Sequence, residues 1–92
     1  MSNYNPNSDS DLLYLQKEKK ENHLVLYNDD VNTFEWVIEC LINICKHDPE
    51  QAEQCSWIVH NNGKCAVKDG AFENLKPLHE GLLDRGLSAT IE

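Results

Sequence analysis

A chain of 92 residues has room for one small domain, whose core supports a shallow pocket more readily than a buried, multi-layered active site. Its net charge of -8, from 16 acidic against 8 basic residues, repels phosphate backbones and anionic lipid, which argues against nucleic acid and membrane as partners and suits a cationic ligand group. No stretch reaches the roughly 18 apolar residues of a membrane span, and Leu12, Leu13 and Leu15 follow Asp9 and Asp11, not the basic residues of a signal peptide, so a cytoplasmic location is expected.

Residues 1–22 read as a flexible extension: polar and turn-rich at first, then charged without apolar periodicity. The run Leu12-Leu13-Tyr14-Leu15 interrupts it as a short sticky segment, either a transient helical turn or a docking element. Order is expected from His23 on, with Leu24–Tyr27 as a buried strand ending at Asn28-Asp29-Asp30. A helix follows, with Asn32 as its cap, Glu35 closing a capping box, and Phe34, Val37, Ile38, Leu41 and Cys45 on one apolar face.

Asp48-Pro49 announces a second helix, a capping side chain followed by a proline at the first helical position. Ala52, Cys55, Ile58 and Val59 form its inward face, and Asn62-Gly63 stops it. Lys64–Val67 is predicted as a strand and Lys68-Asp69-Gly70 as a turn. Phe72, Leu75, Leu78, Leu82 and Leu83 mark a third helix closed by Arg85-Gly86, and Pro77 requires it either to start near Lys76 or to kink. Residues 87–91 alternate as a strand with one buried face. The order β-α-α-β-α-β makes residues 23–92 a compact two-layer α+β domain, a three-stranded antiparallel sheet packed by three helices.

Cys40, Cys45, Cys55 and Cys65 lack the Cys-x-x-Cys spacing of zinc and redox sites, so they are expected as reduced thiols that fill apolar space, with no metal or cofactor. The Asn28-Asp29-Asp30 loop is compatible with a plain turn before a helix. It also offers one amide and two carboxylates that can accept hydrogen bonds from an ammonium. His60 likewise suits the helix dipole or serves as an acceptor for a ligand. Asp29 and His60 with Cys55 or Cys65 are the parts of a thiol enzyme, but nothing marks an oxyanion hole, a phosphate loop or a metal-ligand spacing.

LVLYNDDVNTFEWVIECL at 24–41, WIVHNNGKC at 57–65 and ATIE at 89–92 together resemble the ClpS family of Clp protease adaptors. The resemblance covers residues 24–92 and is strongest over 24–67. It implies a non-enzymatic adaptor, expected to be monomeric. Such an adaptor binds an N-degron, an exposed N-terminal Leu, Phe, Tyr or Trp, and delivers its bearer to a ClpA- or ClpC-like AAA+ ATPase. On this resemblance Asn28, Asp29 and His60 hold the α-amino group, and Asn32, Phe34, Val37, Ser56, Val59 and Leu87 form the side-chain pocket. The alternative keeps the fold as a docking module on an ATPase or another assembly without reading N-termini.

Three departures from the family pattern stand out. Asn32-Thr33-Phe34 replaces a Thr-Pro-Met run, so Phe34 is expected to narrow the pocket. Ser56 stands where a methionine is common, which reopens space opposite. The segment CAVKDGAFENLKPL (65–78) is short and lacks the family's Glu-Thr-Lys-Val run, so docking falls to other residues such as Glu73 and Lys76, or the partner differs. The resemblance also gives the extension a role, engagement by the ATPase during delivery.

Overall fold

The computed structural model describes residues 20–92. The expected extension therefore lies outside the described residues up to position 19, and Asn22, within it, already opens the first strand. The elements are β1 (Asn22–Tyr27), α1 (Phe34–Cys45), α2 (Pro49–Asn62), β2 (Lys64–Gly70), α3 (Phe72–Asp84) and β3 (Ser88–Ile91). The sheet order is β2-β1-β3 with both pairs antiparallel, so the α+β architecture expected from the element order is the one observed.

Period-two patterning sets the faces of the sheet. Leu24 and Leu26 of β1, Val67 of β2 and Ala89 of β3 turn inward, to meet Cys40, Leu41 and Cys45 of α1, Ala52 and Val59 of α2, and Leu75 and Leu82 of α3. Leu87, just before β3, joins the same core at 3% exposure. Gly81 lets α3 approach α1 closely, because a Cβ there would sit 3.0 Å from Cδ1 of Ile44.

Three local expectations are corrected, and the alternative left open at Pro77 is decided. The cap of α1 is Thr33, whose Oγ1 accepts from the Trp36 N–H at 3.1 Å. Asn32 is engaged elsewhere, and the box with Glu35 does not form, since Trp36 occupies the third helical position. The predicted turn at 68–70 belongs to β2, which runs on to pair Asn22 with Gly70 through a register shift at Leu24/Val25. That shift absorbs one extra residue of β2, as a bulge does. α3 begins at Phe72, not near Lys76, and carries Pro77 inside it, where the ring removes the donor that would reach the Glu73 carbonyl. Its inward stripe is also narrower than expected: Leu75 and Leu82 are buried while Phe72 and Leu83 are about half exposed. At about 100° per residue these two lie well round the helix from the Leu75–Leu82 line. His79 takes the flank and pairs with the Ala89 carbonyl at 2.7 Å.

The second helix follows the sequence closely. Asp48 Oδ1 accepts from the Gln51 N–H at 2.8 Å, and Gly63, at φ 95°, closes α2 in the left-handed region with its N–H on the Val59 carbonyl. Its buried side chains are Ala52, Ser56 and Val59, with Cys55 and Ile58 at the margin.

All four cysteines are free thiols, Cys40 and Cys45 buried, Cys55 and Cys65 half-buried. Burial pushes Cys45 up to about 11, and burial together with the neighbouring Cys65 thiol pushes Cys55 up to about 12. Thiolate is the reactive form, so alkylation of Cys45 and Cys55 near neutral pH is expected to be at least about a hundredfold slower in the folded protein than in denaturant. Mass-spectrometric labelling reads this directly, and fast modification of Cys55 in the native state would contradict it.

Candidate functional site

β1 ends at Tyr27, and the chain turns through Asn28, Asp29 and Asp30 before α1. The turn is built around one carboxylate. Asp29 Oδ1 accepts from the backbone N–H groups of Val31 and Asn32, both at 2.8 Å, and Oδ2 accepts from Asn32 Nδ2 at 2.8 Å. Burial pushes the Asp29 carboxyl up, but its bonds to Asn32 and Val31 outweigh burial and hold it below its ordinary value. The loop therefore carries a fixed negative charge, and its carboxylate retains acceptor capacity beyond these three bonds.

Asn32 reaches in two directions. Besides Asp29, its Nδ2 donates to the Gly86 carbonyl at 2.9 Å, tying the β1–α1 loop to the α3–β3 turn. Trp36 makes a parallel link, Nε1 to the Arg85 carbonyl at 3.1 Å. On the other side, the Asn28 N–H donates to the Gly63 carbonyl at 2.9 Å, which joins the end of β1 to the end of α2.

A depression lies where these links converge, lined by Leu26, Tyr27, Asn28, Asp29, Asn32, Val37, Val59 and Leu87. Its wall combines apolar side chains with the Asn28–Asp29 loop. It encloses about 10 Å³, roughly the room one water needs.

Of the residues singled out in the sequence, Asn28, Asp29, Asn32, Val37, Val59 and Leu87 come together here. His60, Phe34 and Ser56 are not part of the lining. His60 is exposed in the last turn of α2, one turn before the Gly63 that Asn28 contacts. Phe34 is half-buried at the first position of α1. Ser56 is buried at 2% exposure, with its Oγ lacking a hydrogen-bond partner among the described residues. Leu26 and Tyr27, which the sequence marks only as strand residues, also line it; their place directly before Asn28 is the available signal. The Trp36 and Asn32 links to Arg85 and Gly86 had no local signal, since they join positions about fifty apart in sequence.

A second polar cluster, Glu21, His23 and Asp69, is exposed at the other end of β1. His23 Nδ1 lies 2.6 Å from Asp69 Oδ1, and this hydrogen bond raises the imidazole's proton affinity. The ion pair accounts for the grouping. Among the described residues, no helix is long and apolar enough to cross a membrane.

Comparison with known proteins identifies the family. Residues 17–90 match the family model described as ATP-dependent Clp protease adaptor protein ClpS. An ATP-dependent Clp protease adapter protein ClpS of Campylobacter jejuni is 44% identical over 46 residues, 50% of this chain and 48% of that protein. The match to this chain thus spans about half the length of that relative. A ClpS of Clostridium acetobutylicum is 45% identical over 40 residues, 44% of this chain and 40% of that protein. A ClpS of Thermosynechococcus vestitus is 35% identical over 69 residues, 71% of this chain and 70% of its own length. With a depression walled by Asn28-Asp29, Val37, Val59 and Leu87, and a family model matched over residues 17–90, the chain belongs to the ClpS family.

Proposed function

We propose that this chain is a non-catalytic adaptor that captures proteins by a free, bulky hydrophobic N-terminal residue (Leu, Phe, Tyr or Trp) and delivers them to a ClpA- or ClpC-like AAA+ ATPase and its peptidase. The observation that carries this reading is the composition of one small depression. A loop with a fixed carboxylate and an amide borders a wall made of Val37, Val59 and Leu87. An α-ammonium has three donors, and the Asn28 and Asp29 oxygens with a His60 ring nitrogen from the adjoining helix end are chemically suited to accept them. Burying the first side chain contributes roughly 1.5–3 kcal/mol, and the ammonium contacts add selectivity for a chain end. An acetylated or internal residue has neither the charge nor the donors.

The test is fluorescence anisotropy of labelled peptides that differ only at residue one: Leu, Phe, Trp, Met and acetylated Leu. Tight binding of the free bulky termini, lost on acetylation, is expected. Asn28→Ala and His60→Ala are each expected to weaken binding by about 1–3 kcal/mol, since each leaves an ammonium donor unpaired, with the circular dichroism spectrum unchanged. Unaltered affinity in both variants overturns the assigned site.

One observation favours a second reading. A depression of about 10 Å³ does not hold a bulky side chain as it stands, which suits a docking module of the same fold that does not read N-termini. Absent or equal binding across the peptide set, with retained binding to a Clp ATPase, selects that reading.

A further inference from the structure

The free volume of the depression sets a physical problem that the adaptor reading has to solve. Cavities that accept a benzene-sized guest are about 150 Å³, whereas this one encloses about 10 Å³. Seating a Leu, Phe or Trp side chain below the rim of the depression therefore requires a wall to move.

The walls differ in how firmly they are held. Leu26 lies in the central strand, paired on both sides. Val37 lies within α1 and Val59 within α2, helices whose Leu41 and Ala52 are fully buried in the core. Leu87 sits in the short connection between α3 and β3, whose backbone has bonds back to the end of α3. Two side chains from outside that connection hold it in place. Trp36 Nε1 donates to the Arg85 carbonyl at 3.1 Å, and Asn32 Nδ2 donates to the Gly86 carbonyl at 2.9 Å. Leu87 is the one apolar lining residue outside a helix or strand, so displacing it outward leaves the helices and the sheet in place. Its own burial, its N–H on the Leu82 carbonyl and those two side-chain bonds resist the movement.

Resting on the adaptor reading, we infer that Trp36 is a specificity-determining positioning residue. Its indole N–H pins the Arg85–Leu87 turn and so limits the size of the N-terminal side chain that is admitted. Trp36 is well placed for this role because it does not line the depression and is 37% exposed. Asn32 is less separable, since it also bonds Asp29. Opening the wall breaks the Trp36 bond in proportion to how far the turn withdraws, so large residues bear more of the cost than leucine.

Trp36→Phe keeps the ring and deletes the donor. It is expected to raise the affinity ratio of Trp- or Phe-terminal over Leu-terminal peptides by about two- to tenfold, the range of one hydrogen bond. Trp57→Phe, a change of the exposed indole on α2, should leave that ratio alone. With only two tryptophans in the chain, the Trp57→Phe protein also reports on Trp36 by itself. Adding a Phe-terminal peptide, which brings no tryptophan, is expected to shift Trp36 emission as the indole exchanges a carbonyl for water. An unchanged ratio, or an equal loss for all peptides, overturns the inference, as does an emission that does not respond to bound peptide. If no free-amine peptide binds the unaltered protein, the adaptor reading itself fails and the inference falls with it; binding without a selectivity shift sinks the inference alone.

Discussion

Replacing Asp29 with asparagine is expected to weaken N-terminal peptide binding more than Asn28→Ala does and to lower folding stability by about 1.5–3 kcal/mol at neutral pH. The carboxylate accepts three bonds, from the Val31 and Asn32 backbone and from Asn32 Nδ2, and bonds to an ionised acceptor are the stronger kind. An asparagine offers one oxygen where two are used, so either the backbone pair or the Asn32 side chain loses its acceptor. Asn32 then holds Gly86 less well, and the loss spreads to the wall that carries Leu87. The fixed charge proposed to attract an ammonium goes as well.

The pH dependence follows from the direction of the shift. The folded carboxyl is held below its ordinary 3.8, so its stabilisation is fully present above the unfolded value and is lost as pH falls through the folded one. Urea unfolding at several pH values should therefore show a gap between the native protein and Asp29→Asn that narrows in acid. A gap that stays constant down to pH 2 would show that the carboxyl is not shifted by folding, and one that widens in acid that the shift has the opposite sign.

Leu82→Ala is expected to cost about 2–5 kcal/mol, the range for emptying a leucine site in a core. Leu82 is fully buried, packs with Leu24, Leu41 and Leu75 in one cluster, and accepts the Leu87 and Arg85 N–H groups on its carbonyl. A domain of this size has about 4–10 kcal/mol in total, so the variant stands near the edge of unfolding, and its urea midpoint should fall steeply. The neighbouring Leu83 is 45% exposed, and Leu83→Ala should stay within about 0.5 kcal/mol. Equal midpoints for the two variants would refute the placement of α3.

The pair also shows how far sequence reasoning reaches. Leu82 and Leu83 both belonged to the apolar stripe read from the sequence, and only packing separates them. A stripe drawn by period tolerates residues well off its axis, whereas the core accepts the narrow sector that faces β1 and α1. The same holds at the start of α1. Asn32 and Thr33 are both good caps by residue type, and the choice fell to Thr33 because Asn32 is drawn away by Asp29 and Gly86.

Among expectations that rested on near neighbours, the two ends of α2 held, whereas the Asn32–Glu35 box did not. The Asp48-Pro49 start and the Gly63 stop of α2 involve partners within four residues, so the sequence carries them whole. The β2 extension did not follow this pattern. Lys68-Asp69-Gly70 has the composition of a turn, yet pairing with Asn22–Leu24 extends it as a strand, a gain that a local reading cannot count.

By itself, then, the sequence determined the number, order and kind of elements, because period and capping chemistry are properties of short stretches. Asn28 and Asp29 stood out as an acceptor cluster, while Val37, Val59 and Leu87 came forward only through the resemblance to the ClpS family. Tertiary structure decided what those residues enclose. The volume of the depression and the bonds from Asn32 and Trp36 to the Arg85–Gly86 turn depend on segments about fifty residues apart, brought together by burial of one common core, and no local pattern encodes that closure.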